Sequence, residues 1–260
     1  MEKLKTSAYA PINGLNMYYE IHGNGTMPLV LIHGGGSTIE TSFGILLPLL
    51  SNYGKVIAVE LQAHGRTSDR DAPESFEQDA DDVAALLQYL KIDKANILGF
   101  SNGGTTTLQI AIRHPDIVNK IVVVSANYKR DGLIPGFFEG MQHATLDDMP
   151  EPLKAAYLKV APNKDQLQIM FEKDKERMLT FKDIAADDLR SIKADALLMV
   201  GDSDVVTTEH TVEISRIIPN ARLVILPGTH GSLIGEEGTA REESKLPKIT
   251  ATLIEEFLNE

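Results

Sequence analysis

Short runs of apolar residues alternate with amphipathic stretches along most of the chain. The runs are four to six residues long and rich in β-branched side chains, which favours buried strands over helices. They lie at residues 29–32, 56–59, 95–98, 121–124, 196–200 and 221–226. Buried strands that alternate with helices are typical of a mainly parallel sheet covered on both faces. The pattern therefore predicts an α/β fold with a doubly wound sheet.

The N-terminal stretch has a different pattern. Residues 8–22 form two extended segments on either side of Asn13-Gly14. An Asn-Gly pair between two such segments is a strong signal for a tight hairpin turn, because both residues adopt the left-handed conformation easily. The sheet is therefore expected to open with an antiparallel hairpin.

Two helices can be delimited from the residues at their ends. Ser75 and Gln78 form a capping-box pattern ahead of a stretch with apolar residues at helical spacing. A second helix is expected to follow Ser101 and to end near His114, because Pro115 disfavours helical geometry in the residue before it.

The segment 131–190 interrupts the alternation. It contains several amphipathic helical stretches, such as residues 165–178, and no run of the buried-strand type. Because the segment lies between two core strands, we expect a small helical cap over one edge of the sheet. The predicted domains are a core of residues 1–130 and 191–260 and a cap of residues 131–190. A helical excursion that only covers the surface is the alternative.

Composition narrows the class of protein. Apolar residues make up 43% and charged residues 24%, which is ordinary for a globular protein. The net charge of −12 repels phosphate on average, so we expect no nucleic acid or membrane partner, although a local basic patch stays open. The absence of cysteine excludes disulfides, a thiolate nucleophile and a cysteine-bound zinc site. No secretory signal or membrane-spanning run is recognised, and a soluble cytoplasmic protein is the expectation.

The residues Gly99-Phe100-Ser101-Asn102-Gly103 match the G-x-S-x-G pattern of a nucleophile elbow. They follow a predicted strand and open a predicted helix, which is the context that the pattern requires. Side chains two residues before and after the serine would collide at so sharp a turn, which explains the glycines. An ordinary strand-to-helix turn is the alternative. The position at the carboxyl end of a strand favours Ser101 as a nucleophile.

A serine nucleophile needs a base and an acid that orients the base. Among the seven histidines, His230 lies in a glycine-containing loop just after the last predicted strand, which fits the chain order of serine, acid and histidine. His33 is expected to be structural and to brace its loop through hydrogen bonds. Asp202 and Asp204 both follow the strand at 196–200, and the sequence pattern alone does not decide which of them is the orienting acid.

With these motifs, nearly the whole chain resembles the α/β-hydrolase superfamily, and most closely its cap-bearing, haloperoxidase-like and esterase-like members. The family's G-x-x-D pattern implies Asp204 rather than Asp202 as the acid. The resemblance also implies an oxyanion hole formed by the backbone N–H groups of Gly35, in the run of glycines after His33, and of Asn102. A flexible loop or a phosphate cradle is the alternative for the glycine run.

The segment 131–190 holds half of the phenylalanines and half of the methionines of the chain. Such adaptable apolar side chains favour a hydrophobic substrate pocket, with candidates Phe137, Phe138, Met141, Met170 and Phe171. We therefore expect a serine hydrolase that cleaves small to medium, largely apolar carboxylic esters through an acyl-enzyme, with no metal or organic cofactor.

Other functions stay open from the sequence. The same triad in relatives acts on lactones, thioesters or carbon–carbon bonds, because fold and nucleophile do not fix the substrate. Serine instead of aspartate at position 101 argues against haloalkane dehalogenase and epoxide hydrolase chemistry. A hydrolase-like receptor that binds a small molecule is the alternative from a different class.

Overall fold

The computed structural model describes residues 5–239 and 243–260. Within them, eight strands form one sheet. The strands are β1 (Lys5–Ile12), β2 (Leu15–His22), β3 (Leu29–Ile32), β4 (Val56–Val59), β5 (Ala95–Phe100), β6 (Val118–Val124), β7 (Asp195–Gly201) and β8 (Ala221–Leu226). Their spatial order is β1-β2-β4-β3-β5-β6-β7-β8. The strands from β4 to β8 in this order pair in parallel, as the alternating pattern predicts.

The antiparallel hairpin at the N-terminus is confirmed. β1 pairs with β2 antiparallel from Lys5 opposite His22 to Ile12 opposite Leu15, and β2 continues antiparallel onto β4. The intervening turn has positive φ at both Asn13 (46°) and Gly14 (86°), as an Asn-Gly turn requires. This short local signal therefore sets the edge of the sheet.

Helices cover both faces of the sheet. They are α1 (Ile39–Phe43), α2 (Leu46–Leu50), α3 (Phe76–Tyr89), α4 (Asn102–Arg113), α5 (Phe137–His143), α6 (Glu151–Val160), α7 (Gln166–Thr180), α8 (Ala186–Arg190), α9 (Thr208–Ile217) and α10 (Leu246–Asn259). Between α5 and α8, the described residues form helices, turns and irregular segments but no strand. No helix of the described residues has the length and apolar character that a membrane span needs.

The core lies on both faces of the parallel strands. On β3, Val30 and Ile32 belong to one buried cluster, and Leu29 and Leu31 belong to the cluster on the opposite face. Alternate residues of a strand point to opposite faces, so a strand that is apolar at every position is buried on both. This double burial is the reason for the continuous apolar runs in the sequence.

Two details differ from the sequence-based expectation. β8 is an edge strand rather than a buried one, because only β7 pairs with it, and Leu223 and Ile225 are exposed. The capping box is half formed. The Ser75 side chain accepts the backbone N–H of Gln78, but the Gln78 side chain donates to Asp82 at 3.0 Å instead of returning to Ser75.

Candidate active site

Three side chains meet at the carboxyl ends of parallel strands. Ser101 follows β5, Asp204 lies just after β7, and His230 lies in the loop after β8. His230 Nε2 is 3.0 Å from Ser101 Oγ, and His230 Nδ1 is 2.7 Å from Asp204 Oδ1. The three residues that the sequence identified as nucleophile, base and acid thus form one hydrogen-bonded chain, although Ser101 and His230 are 129 positions apart.

The turn at Ser101 is strained and tightly packed. Ser101 has φ 53° and ψ −122°, a conformation that residues other than glycine rarely adopt. An ideal Cβ on Gly99 would overlap the Gly103 carbonyl oxygen, and one on Gly103 would lie 2.5 Å from the carbonyl oxygen of His33. Only glycine at both positions lets β5, α4 and the loop after β3 approach so closely.

Hydrogen bonds hold the Asp204 carboxylate on both oxygens. Oδ1 accepts the backbone N–H of Val206 at 3.0 Å as well as the His230 ring, and Oδ2 accepts the Ser125 hydroxyl at 2.6 Å. Burial raises the pKa of this carboxyl, but the hydrogen bond and charge of His230 and the other two donors outweigh it, so the pKa is lowered. Asp202 is exposed and instead accepts a backbone N–H of the loop after β8 at 3.0 Å.

The His230 ring is half-buried against Phe100, with the two ring centroids 4.8 Å apart. Burial lowers the pKa of His230, but the hydrogen bond and charge of Asp204, with a smaller effect of Glu236, reverse this. The pKa of His230 is therefore raised above its ordinary value. A raised pKa means a stronger base, which suits removal of a hydroxyl proton.

The glycine run after β3 lies beside the turn at Ser101. The Gly36 N–H donates to His64 Nε2 at 3.1 Å. Within the described part of the chain, the N–H groups of Gly35 and Asn102 donate no hydrogen bond. Free backbone donors next to a nucleophile are available to an oxygen atom of a bound substrate.

Hydrogen bonds of the His33 and His64 rings hold this loop in place. His33 Nδ1 lies 2.7 Å from the Gly34 carbonyl oxygen, and His33 Nε2 accepts the Leu61 N–H at 3.0 Å. The two histidine rings pack with centroids 4.9 Å apart. Burial lowers the pKa of His33 to about 3, so this ring is neutral at physiological pH. The bracing contacts expected for His33 are present.

Asp174 on α7 is a residue of the site that the sequence did not identify. Its Oδ1 accepts the Asn102 side-chain amide at 2.9 Å, and a Cβ on Gly35 would overlap its Oδ2. Burial raises the pKa of Asp174, but the charge and hydrogen bond of Arg177 together with the effects of His64 and His33 outweigh it, so the pKa is lowered. No sequence motif surrounds Asp174, and its helical neighbours give no sign that it reaches the turn at Ser101.

Arg177 connects α7 to the core through buried charges. Its guanidinium donates to Asp79 on α3 at 2.6 Å, pairs with Asp174 and lies 3.5 Å from Glu74. The Arg177 side chain is 1% exposed. Burial raises the pKa of Asp79 to about 6, with Arg177 acting in the opposite direction. One cation therefore lies against the buried carboxyl groups of Asp79 and Glu74 and the half-buried carboxyl group of Asp174.

Arg177→Met is expected to lower the free energy of unfolding by about 3–5 kcal/mol, because it leaves buried carboxylates without their cation. The loss should shrink as the pH falls, since protonation removes the uncompensated charges. Urea unfolding at neutral and mildly acidic pH measures both effects. Arg190→Met is the matched control, because in the part of the chain that the structure describes Arg190 forms only an exposed pair with Asp187. Equal stability of the two variants would contradict the expectation.

A cavity of about 350 Å³ opens in front of Ser101 and His230. Most of its wall is apolar and comes from the helical segment 131–190. Four of the five predicted pocket residues line it, namely Phe137, Met141, Met170 and Phe171. Phe138 is not a lining residue, since its ring packs under the Arg130 guanidinium at 3.7 Å. Met149 and Met178, which belong to the same phenylalanine- and methionine-rich segment, also line it, and sequence reasoning missed Leu133, Leu153 and Val206 among the other apolar lining residues.

Comparison with known proteins gives a consistent result. Residues 27–153 match the family model described as the alpha/beta hydrolase fold. The human protein named serine hydrolase BPHL is 31% identical over 244 residues, which cover 86% of this chain and 80% of that protein.

Solved structures of low sequence identity have the same fold. A serine hydrolase involved in carbazole degradation superposes with a TM-score of 0.79 at 22% identity over 98% of this chain and 99% of the other. The enol-lactonase from Burkholderia xenovorans LB400 gives a TM-score of 0.75 at 22% identity over 97% of this chain and 100% of the other.

Proposed function

The chain belongs to the α/β-hydrolase family. We propose that it is a serine hydrolase that cleaves carboxylic esters through an acyl-enzyme. The observation that carries the proposal is the pair of hydrogen bonds at His230, to Ser101 Oγ at 3.0 Å and to Asp204 Oδ1 at 2.7 Å. A nucleophile, a base and an orienting acid linked in this order are what acyl transfer needs.

In the first step, Ser101 Oγ attacks the ester carbonyl carbon while His230 Nε2 takes the hydroxyl proton. Asp204 accepts the Nδ1–H of the ring, which keeps Nε2 unprotonated before attack and stabilises the imidazolium afterwards. The N–H groups of Gly35 and Asn102 bind the negative oxygen of the tetrahedral intermediate. Each such donor contributes on the order of 3 kcal/mol to transition-state stabilisation.

In the second step, the tetrahedral intermediate collapses and the alcohol leaves with the proton held on His230 Nε2. Ser101 is then acylated. A water molecule gives a proton to His230 and attacks the acyl carbon, and the breakdown of this second intermediate returns the proton to Ser101 Oγ. The products are a carboxylic acid and an alcohol, and the enzyme is regenerated.

The proposed substrates are small to medium esters with an apolar acyl or alcohol group. The argument is the apolar wall of the cavity, about 350 Å³ in volume, which segment 131–190 supplies in the role of a cap. The lining also includes Asp148, Asp174 and Lys175, but each is already bonded, to Thr145, to Arg177 and to the Ala144 carbonyl oxygen respectively. A charged group that enters the apolar part of the wall therefore loses its hydration without gaining a free partner there. Apolar groups of matching size gain from the same burial.

Hydrolysis of 4-nitrophenyl esters tests this choice of substrate. We expect kcat/KM for the butyrate and hexanoate esters to exceed that for the hemisuccinate ester by about tenfold or more. Lactone and acyl-thioester substrates belong in the same panel, because their preferential turnover would assign the site to those reactions instead. Ligand binding without turnover on any substrate would favour the receptor alternative.

Covalent labelling tests the nucleophile without any assumption about the substrate. A fluorophosphonate probe should modify the protein at Ser101, and peptide mass spectrometry locates the modified residue. The Ser101→Ala variant should stay unlabelled. Modification of a different serine with equal efficiency in this variant would refute the proposal.

A further inference from the structure

Glu236 is a buried carboxylate that the proposed mechanism does not use. It lies six positions after His230 in the same loop, and its residue is 7% exposed. In the described part of the chain, no lysine or arginine pairs with it. Burial of an ionisable group without a cation is costly, so its presence at this place requires an explanation.

The hydrogen bonds of Glu236 connect two loops of the site. Its Oε1 accepts the hydroxyl of Ser37 at 2.8 Å and that of Ser42 at 3.4 Å. Ser42 Oγ in turn accepts the backbone N–H of Gly34, the residue before Gly35, at 3.3 Å. Glu236 therefore links the loop that carries His230 to the glycine run that supplies the proposed oxyanion donor.

The second oxygen of Glu236 lies against the backbone next to His230. An ideal Cβ on Gly231 would be 2.7 Å from Glu236 Oε2. The charged groups that face His230 are Asp204, which is hydrogen-bonded to Nδ1, and Glu236. Among the described residues, the charged groups that act on Glu236 are His230 and Asp204. Burial raises the pKa of Glu236, whereas the charge of His230 and the two hydroxyl donors act in the opposite direction. The ring of His230 thus has a second anion near it besides its hydrogen-bonded partner.

We propose that Glu236 is a positioning residue that holds the His230 loop against the glycine run and supplies a second negative charge to the His230 imidazolium formed during acyl transfer. Among the described residues, the resting Glu236 carboxylate has only hydroxyl donors and lies near the like charge of Asp204. When His230 takes the Ser101 proton, both carboxylates gain a cation. The charge of Glu236 is therefore better compensated in the transition state than in the ground state, which is the condition for a faster reaction. This inference rests on the proposed function.

Glu236→Gln tests the charge, because glutamine keeps the size of the side chain and an oxygen acceptor for Ser37. The pH profile of kcat/KM for 4-nitrophenyl butyrate is measured from about pH 5 to 9, and its acid limb reports protonation of the base. Loss of a nearby anion destabilises the imidazolium, so the limb should move to lower pH by about 0.5–1 unit. The plateau of kcat/KM should fall by about tenfold, since the same charge no longer stabilises the transition state.

Glu237→Gln is the matched control, because Glu237 is the exposed neighbour and its replacement removes the same formal charge. The acid limb and the plateau of kcat/KM for Glu237→Gln should equal those of the wild type. A merely structural role of Glu236 would lower the unfolding midpoint or change KM without moving the limb, and this result would overturn the inference. A wild-type limb in folded Glu236→Gln would overturn it as well.

Glu236→Asp covers the case in which Glu236→Gln does not fold. The charge is kept but withdrawn from His230 by one methylene group, so the limb should move in the same direction by a smaller amount. A folded Glu236→Asp protein with the wild-type limb would then overturn the inference. Ser101→Ala separates this inference from the proposed function. A folded Ser101→Ala protein that retains a tenth of the wild-type activity refutes the serine mechanism itself, independently of the result for Glu236.

Discussion

Ser101→Ala is expected to lower kcat for 4-nitrophenyl butyrate by about 10⁴–10⁶-fold, because no other group replaces the attacking oxygen. The fold should be preserved. The substitution removes a single hydroxyl group, whose one hydrogen bond to a described residue joins it to His230 at 3.0 Å. Steady-state kinetics gives the loss of activity, and circular dichroism with thermal unfolding verifies that the variant is folded.

Ser203→Ala is the matched control for this experiment. Ser203 is exposed at the same rim of the sheet, and among the described residues its hydroxyl donates only to Asp202. Its removal should therefore leave kcat within about twofold of the wild type. A folded Ser101→Ala protein that retains a tenth of the wild-type activity would end the acyl-enzyme proposal.

Asp204→Asn should have the second largest effect, a fall in kcat of about 10³–10⁴-fold. The amide of asparagine can donate to His230 Nδ1, and this favours the ring tautomer with the proton on Nε2. That tautomer cannot accept the Ser101 proton. The pKa of His230 should also fall, since the charge of Asp204 raises it, so the acid limb of kcat/KM should move to lower pH.

Asp202→Asn provides the comparison for Asp204→Asn. Asp202 is two positions earlier, exposed, and bonded to the backbone of the loop after β8 rather than to His230. Its replacement should change kcat by less than about threefold. If Asp202→Asn impaired the enzyme as strongly as Asp204→Asn, the assignment of the orienting acid would be wrong.

The elements with local signals were predictable. Residues 29–32 and 56–59 have the predicted bounds, and the hairpin at Asn13-Gly14 is where the turn residues indicate. The prediction that β8 is a buried strand was wrong. An edge strand and a central strand of a parallel sheet can both have a continuous run of apolar residues, so the sequence does not distinguish them. Which of them is at the edge depends on strand order, and strand order is a property of the whole sheet.

The nucleophile turn had a signal within five residues, because the steric need for glycine at positions 99 and 103 is local. The acid had no such local signal, because Asp202 and Asp204 follow the same strand and only the family's pattern distinguished them. In the fold, the His230 ring contacts Asp204, whereas the exposed carboxylate of Asp202 accepts the Gly228 N–H at the start of the same loop.

The sequence by itself determined the α/β architecture, the N-terminal hairpin and the position of the turn at Ser101, because periodic burial and glycine sterics act between residues close in the chain. Only the tertiary structure decided that Asp174 reaches Asn102 and that Glu236 reaches Ser37, contacts that span 72 and 199 positions. Such contacts depend on how helices and loops pack over the sheet. A carboxylate on a helix or in a loop has the same local sequence whether it faces water or the nucleophile.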